Sequence, residues 1–325
     1  MDALHTPLVF TPVYKDYLWG GDGLARKYGR LGTPAVCAES WEISARHDGM
    51  SAVAQGPFSG RTLGELSTAF GPSLTGTHAP DPQRFPLLFK VIDARSRLSV
   101  QVHPNNVNAA RTGGEPKTEM WYVLGCAPGA SLYAGLEKGV TPDSLRAALA
   151  AHTAESQLVR LPVAAGLALF IPGGLVHAIG GGCLIYEVQQ NSNTTYRLFD
   201  WGRTGADGEP RPLHIEESFR TIDWSLPAPQ LITPVPDSQA GPNRWSEVVA
   251  CAFFTLRKLE LASPQQVALD GTTFHALFVT DGRVTVTAGG ESVVLRSGAS
   301  ALIPAAAAGY ALTPDAIATV LVTTL

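Results

Sequence analysis

Cysteine, charge and a basic excess are what this chain has little of. Its four cysteines, Cys37, Cys126, Cys183 and Cys251, are scattered over 325 residues, and no two stand at the spacing of a CxxC metal knuckle. So dilute a set is not a disulfide framework either. Charged residues make up 16% of the chain against 45% apolar, which is ample core and too little charge for disorder. The 24 Lys and Arg against 28 Asp and Glu give a formal charge of −4, so the basic excess of a nucleic-acid binder is missing. Met1-Asp2-Ala3-Leu4-His5 has neither a basic start nor an apolar run, and a cytoplasmic setting is expected. No Asp, Glu, Lys or Arg falls between Arg160 and Glu187, but Pro162, Pro172 and Gly180 to Gly182 would interrupt a membrane-spanning helix there.

Glycine and proline, by contrast, are plentiful: 33 and 24 residues. Short strands joined by turns use them; a helical bundle would not. The length predicts about two domains. Glu39-Ser40-Trp41-Glu42-Ile43-Ser44 alternates as a half-buried strand does. Thr62 and Glu65 have capping-box spacing at the start of a short helix. Strand-like runs follow at Leu87 to Val91, Leu98 to Val102, Met120 to Leu124, Leu167 to Ile171, Cys183 to Gln189 and Tyr196 to Trp201. One helix interrupts them, with Thr141 as N-cap and Pro142 at its first position. Residues 226–243 carry five prolines and read as a linker, and five or six further strands are expected from Phe253 onward. The fold class expected is mainly β: two small β-barrels, or jelly rolls, with a few short helices. Residues 1–228 would form one domain and 229–325 the second.

Three segments carry chemistry. In Leu98-Ser99-Val100-Gln101-Val102-His103-Pro104-Asn105, residues two apart share a strand face, so Ser99, Gln101 and His103 line one side. Imidazole nitrogen and amide oxygen both suit a divalent ion, although a hydrogen-bonded structural histidine would explain the pattern by itself. Lys117 and Glu119 share a face in Lys117-Thr118-Glu119-Met120-Trp121-Tyr122-Val123-Leu124, where a plain ion pair is the alternative. In Ile171-Pro172-Gly173-Gly174-Leu175-Val176-His177 a Pro-Gly-Gly turn delivers His177 to the next strand. Two imidazoles, a carboxylate and an amide from separate strands make a metal site with an open position.

These runs, with Gln189-Gln190-Asn191-Ser192-Asn193-Thr194-Thr195-Tyr196-Arg197-Leu198-Phe199-Asp200-Trp201, resemble the signature of the type I mannose-6-phosphate isomerases (phosphomannose isomerases) in their short bacterial form. The resemblance implies a cupin fold and one zinc ion per chain, with Gln101, His103, Glu119 and His177 as ligands. It implies interconversion of mannose 6-phosphate and fructose 6-phosphate through a cis-enediolate. Lys117 and Arg197 would be catalytic, the lysine as an acid–base group beside the ion and the arginine on the enediolate oxygens. Ser99 and Lys90 would bind the substrate or its phosphate. The expected partner is a sugar phosphate, with no nucleic acid or membrane, and the chain would be a monomer or weak dimer.

Two other classes compete. An iron-dependent cupin oxygenase would lean on more histidines and has no need of Lys117 and Arg197; metal identity and oxygen-independent turnover separate it. A sugar-binding module without turnover is separated by an assay. In the C-terminal domain, Gly298 to Pro304 echoes Gly166 to Pro172, but Ala305 to Tyr310 then offers no imidazole or carboxylate. That domain is expected to hold no metal.

Overall fold

The computed structural model describes residues 4–30, 32–205, 208–237 and 241–325. Both short helices foreseen, one at the Thr62 capping box and one at the Thr141 N-cap, are present, and the second also proves to carry a capping box. Leu63–Phe70 starts at Thr62, whose hydroxyl accepts from the Glu65 N–H, and Pro142–Ala150 starts at Thr141, whose hydroxyl accepts from Ser144. The remaining helices are short, among them Gly23–Tyr28 and Ile215–Thr221. Strands dominate everything else.

The residue contacts define two units, each discontinuous in sequence. One comprises Tyr14–Ser40 and Val91–Ile232; the other comprises Met1–Val13, Trp41–Lys90 and Thr233–Leu325. These are not the consecutive blocks 1–228 and 229–325. The reason lies in backbone pairing inside the second unit. Leu8 and Leu302 exchange both of their hydrogen bonds at 2.8 Å, and Ala305 N–H donates to Leu74 O at 3.1 Å. N-terminal segments are thus built into a sheet made mostly of C-terminal strands.

The Tyr14–Ser40/Val91–Ile232 unit is a jelly roll. Its first sheet runs, in spatial order, Leu158–Pro162, Ser131–Leu136, His177–Ile179, Val100–Val102 and Tyr196–Phe199. The facing sheet contains Ala168–Ile171, Glu119–Cys126, Cys183–Gln190 and then Leu87–Ala94, of which Val91–Ala94 belong to this unit. Trp121, Val123, Leu169, Ile171 and Ile185 from one sheet pack with Leu132, Ala134 and Ile179 from the other. That apolar layer fixes the strand registers, because a one-residue slip would turn every inward side chain outward.

The second unit repeats the plan. A six-stranded sheet runs Val235–Pro236, Arg244–Ala250, Thr255–Leu261, Ala318–Thr324, His275–Asp281, Ser300–Ile303. A four-stranded one runs Gln265–Ala268, Gly309–Pro314, Arg283–Ala288, Glu291–Arg296. Between them lies a layer of Leu, Val, Ile and Ala with Tyr310. Eight strands follow Thr255, more than the five or six expected, since tight hairpins such as Arg283–Arg296 turn the chain within a few residues. Of the linker residues 226–243, the described ones hold one short strand, Val235–Pro236, and residues 238–240 lie outside the described set. The Glu39–Ile43 strand is buried along its whole length rather than on alternate residues, so Glu39 and Glu42 are interior carboxylates.

Candidate metal centre

One end of the first jelly roll collects polar side chains that an apolar interior would otherwise exclude. Val100–Val102 places Gln101 opposite Arg197 on one neighbour and opposite His177 on the other. Glu119 opens its strand opposite Ile171 and Gln189. Directly paired residues project from the same face of a sheet, so pairing groups Gln101, Arg197 and His177 in one sheet and Glu119 with Gln189 in the facing one.

Loops complete the assembly. The His103 carbonyl accepts from Gly174 N–H at 2.7 Å, the Pro104 carbonyl from Lys117 N–H at 2.8 Å, and the Thr118 hydroxyl from Gly173 N–H at 3.2 Å. The three segments that supply His103, Glu119 and His177 are therefore tied to each other through backbone. This close approach explains the turn sequence: a Cβ on Gly173 would sit 2.7 Å from the Asn105 Cα and 2.8 Å from the Pro104 oxygen. Only glycine fits there.

The donor atoms converge. His103 Nε2 lies 3.2 Å from His177 Nε2 and 3.5 Å from Glu119 Oε2, and His177 Nε2 lies 3.5 Å from Glu119 Oε1. The Gln101 amide comes within 3.3 Å of His177 Nε2, and a half-turn of that amide presents its oxygen instead of its nitrogen. His103, Glu119 and His177 are all fully buried. Two ligands each bound at 2.0–2.1 Å to a tetrahedral ion stand about 3.3 Å apart. The measured spacings are of that size.

The protonation state agrees. His177 Nδ1 donates to the Leu175 carbonyl at 2.9 Å, which leaves the Nε2 lone pair aimed at the cluster. Burial lowers its pKa to about 4, with the Lys117 charge acting in the same direction against the Leu175 bond and Glu187, so at neutral pH the ring is uncharged. Lone pairs of an imidazole, a carboxylate and a second imidazole packed this closely repel one another, and a cation between them removes the repulsion. The residues present fit a divalent metal.

Lys117 places its ammonium 3.0 Å from Glu119 Oε2. Ser99 donates to Gln101 Oε1 at 3.5 Å. Arg197 donates through Nη1 to the Pro212 carbonyl at 2.7 Å, while its Nε–H is buried with no partner among the described residues. Burial and the neighbouring Arg211 and Arg203 lower its pKa and Asp200 opposes them. Lys90 belongs to the other unit, where its ammonium lies 5.3 Å from the Trp41 ring centroid.

Several residues of this region carry no motif of their own. Trp121 sets its ring edge-on to His177, 5.4 Å between centroids, and donates from Nε1 to Glu187 Oε2 at 2.9 Å. Gln189 gives both amide hydrogens to the turn, to Gln190 O at 2.8 Å and Ser192 O at 2.6 Å. Glu187 and Gln189 alternate with Val188 in a buried strand, and that polar alternation is the signal by which a sequence reading can find them. Asp200 is raised by burial but held below its ordinary pKa by hydrogen bonds from Arg211 and Arg203, at 2.5 Å each.

Paired jelly-roll sheets around a buried imidazole–carboxylate–imidazole cluster define a metal-site cupin. Comparison with known proteins narrows the class. A family model of the phosphomannose isomerase type I catalytic domain matches residues 8–123, and one of the mannose-6-phosphate isomerase cupin domain matches residues 246–321. The mannose-6-phosphate isomerase of Streptococcus mutans is 36% identical over 304 residues, covering 92% of either chain. Mannose-6-phosphate isomerase ManA of Bacillus subtilis is 34% identical over 304 residues, 92% of this chain and 93% of its own. The crystal structure of the Bacillus subtilis mannose 6-phosphate isomerase matches with a TM-score of 0.88 at 28% identity, over 98% of this chain and 100% of that one. The chain belongs to the type I mannose-6-phosphate isomerase family, and it is an isomerase. No helix among the described residues is long and apolar enough to cross a membrane.

Proposed function

We propose that the chain interconverts mannose 6-phosphate and fructose 6-phosphate, using one zinc ion held by Gln101, His103, Glu119 and His177. The observation that carries this reading is the donor spacing of 3.2–3.5 Å among buried, uncharged or acceptor groups. When bound, the ion would polarise substrate oxygens and offset negative charge developing at the enediolate.

This chain's own groups supply the rest. The reaction removes the proton from the carbon next to the carbonyl and returns one to its neighbour, while a hydroxyl proton passes between the two oxygens. Lys117 Nζ, buried beside Glu119, is the group assigned to that proton traffic. Arg197 is held at Nη1 by the Pro212 carbonyl, so its unused Nε–H remains for a substrate oxygen. A buried donor without an acceptor costs about 1–3 kcal/mol, which a bound oxyanion recovers. Arg203 and Arg211 share one carboxylate, Asp200, with Arg197 within their field, and this surplus of positive charge favours a phosphate dianion. With the Gln101 amide turned so that its oxygen faces the cluster, the Ser99 hydroxyl would accept from the amide nitrogen.

A coupled assay for fructose 6-phosphate, run before and after chelation and again with zinc added, tests the reading. Activity should vanish with the metal and return with zinc. Turnover that survives complete removal of divalent ions would overturn it.

A further inference from the structure

The strand that carries Arg197, Tyr196–Phe199, is the last in its sheet and, among the described residues, pairs only with Val100–Val102. An edge strand leaves half of its backbone groups facing outward, and both outward groups of Arg197 are taken by one residue. Arg197 N–H donates to His214 Nδ1 at 3.1 Å, and His214 N–H donates to the Arg197 carbonyl at 2.8 Å. Two positions earlier, the Pro212 carbonyl accepts from Arg197 Nη1 at 2.7 Å. Residues 212–214 thus grip Arg197 at its amide, its carbonyl and its guanidinium.

The imidazole is committed to this contact. His214 stands at the N-cap position of the Ile215–Thr221 helix, yet its side chain makes no capping bond to that helix. Its ring nitrogen goes to Arg197 instead, and the Tyr196 ring packs against it at 6.2 Å. An N–H can donate only to a lone pair, so Nδ1 must be unprotonated while the contact stands. The helix that follows is anchored in turn: Glu216 accepts two bonds from Arg146, at 2.8 and 3.0 Å, and the Arg146 guanidinium lies 4.0 Å from the Phe219 ring centroid. The grip is mounted on a fixed element rather than on a free loop.

We propose that His214 is a positioning residue for the isomerase reaction, holding Arg197 so that its spare Nε–H meets the reacting oxygens. This rests on the reading of Arg197 given above. The lone pair, not the bulk of the ring, does the holding. Misplacing an oxyanion donor by about 1 Å costs on the order of a hundredfold in rate.

Four variants test it: His214→Phe, which keeps a ring and removes the acceptor; His214→Asn, whose Oδ1 can replace Nδ1; Arg197→Lys; and the double variant with His214→Phe. Each is measured for kcat, KM and metal per chain. His214→Phe should lose about ten- to a hundredfold in kcat with KM and metal content little changed. His214→Asn should recover most of that loss, and His214→Phe should cost nothing further once Arg197→Lys is present. Arg197→Lys at full activity would overturn the reading of Arg197 and this inference with it. A large loss in Arg197→Lys beside a normal His214→Phe would overturn the inference alone. So would equal losses in the Phe and Asn variants, or a loss from His214→Phe that persists undiminished in the Arg197→Lys background.

Discussion

The two jelly rolls use the same strand–proline–turn device for opposite ends. In the first, Ala168–Ile171 leads through Pro172 and two glycines to His177, and the turn is held by His103 and Thr118. In the second, Ser300–Ile303 leads through Pro304 into Ala305 to Ala308, and backbone from Ser73 and Leu74 fills the position with hydrogen bonds of 2.9 and 3.1 Å. One turn presents side-chain donors; the other is packed shut by a neighbouring segment of its own unit. The interior layers follow suit. Carboxylate, ammonium and imidazole share the end of the first barrel, whereas the layer between the second barrel's sheets is aliphatic apart from Tyr310, whose hydroxyl meets His275 Nδ1 at 3.0 Å. A scaffold of paired sheets is indifferent to chemistry; what its turns deliver decides whether it holds a site.

The difference should be sharpest at Glu119. Glu119→Ala should abolish bound metal and lower turnover by about three orders of magnitude or more. It also strands the Lys117 ammonium in the interior, at a cost of about 3–5 kcal/mol. Adding Lys117→Met should restore most of the stability and none of the activity, as urea unfolding, metal analysis and kinetics would show. Recovery of turnover in the double variant would erase the distinction drawn between the barrels.

In the second barrel the largest effects should be on stability alone. Phe278 is fully buried, and Phe278→Ala should cost about 3–5 kcal/mol while the folded fraction keeps its metal. Denaturant unfolding with metal analysis of the folded protein checks this.

His275 gives that barrel a pH dependence of its own. Burial lowers its pKa from 6.5 to about 4, opposed by the charge of Asp270. The unfolded chain therefore binds a proton that the folded chain refuses, and stability declines as pH falls from about 6.5 towards 4. The full loss is about 3 kcal/mol. His275→Gln keeps a partner for the Tyr310 hydroxyl and cannot titrate, so its stability should decline less than that of the parent across this window. Parallel pH profiles of the two proteins would expose a mistaken assignment.

The smallest effects should be alike in both barrels. Thr62→Ala and Thr141→Ala each remove one half of a capping box, one in each unit, and each should cost about 1 kcal/mol in thermal unfolding.

Much of this was legible from local pattern. The alternation around Gln101, the pairing of Lys117 with Glu119 and the Pro-Gly-Gly turn before His177 are short-range signals, and the structure converges those residues. The Thr62 capping box and the Thr141 N-cap are likewise local, and both are present. What escaped depends on pairing between distant segments. His214 reads as an ordinary histidine because its partner Arg197 is 17 residues away across a turn. The uniform burial of Glu39–Ile43 escapes because alternation reports only the two faces of a strand, not whether both are covered. The interleaving of residues 41–90 with 233–325 leaves no trace in composition.

That interleaving sets a timetable for synthesis. Every segment of the metal-centre unit has been made once residue 232 leaves the ribosome. The other unit must wait, because Ala318–Thr324 is not at its margin but between Thr255–Leu261 and His275–Asp281. Until that strand arrives, Thr255–Leu261 and His275–Asp281 stand with open edges. At about 5–20 residues per second the wait lasts roughly 5–20 s, an interval in which exposed edges invite wrong pairings. Nascent chains halted before residue 318 should accordingly be cut by protease in segments 41–90 and 233–317 and resist it across 91–232; equal resistance throughout would mean that the central strand is dispensable.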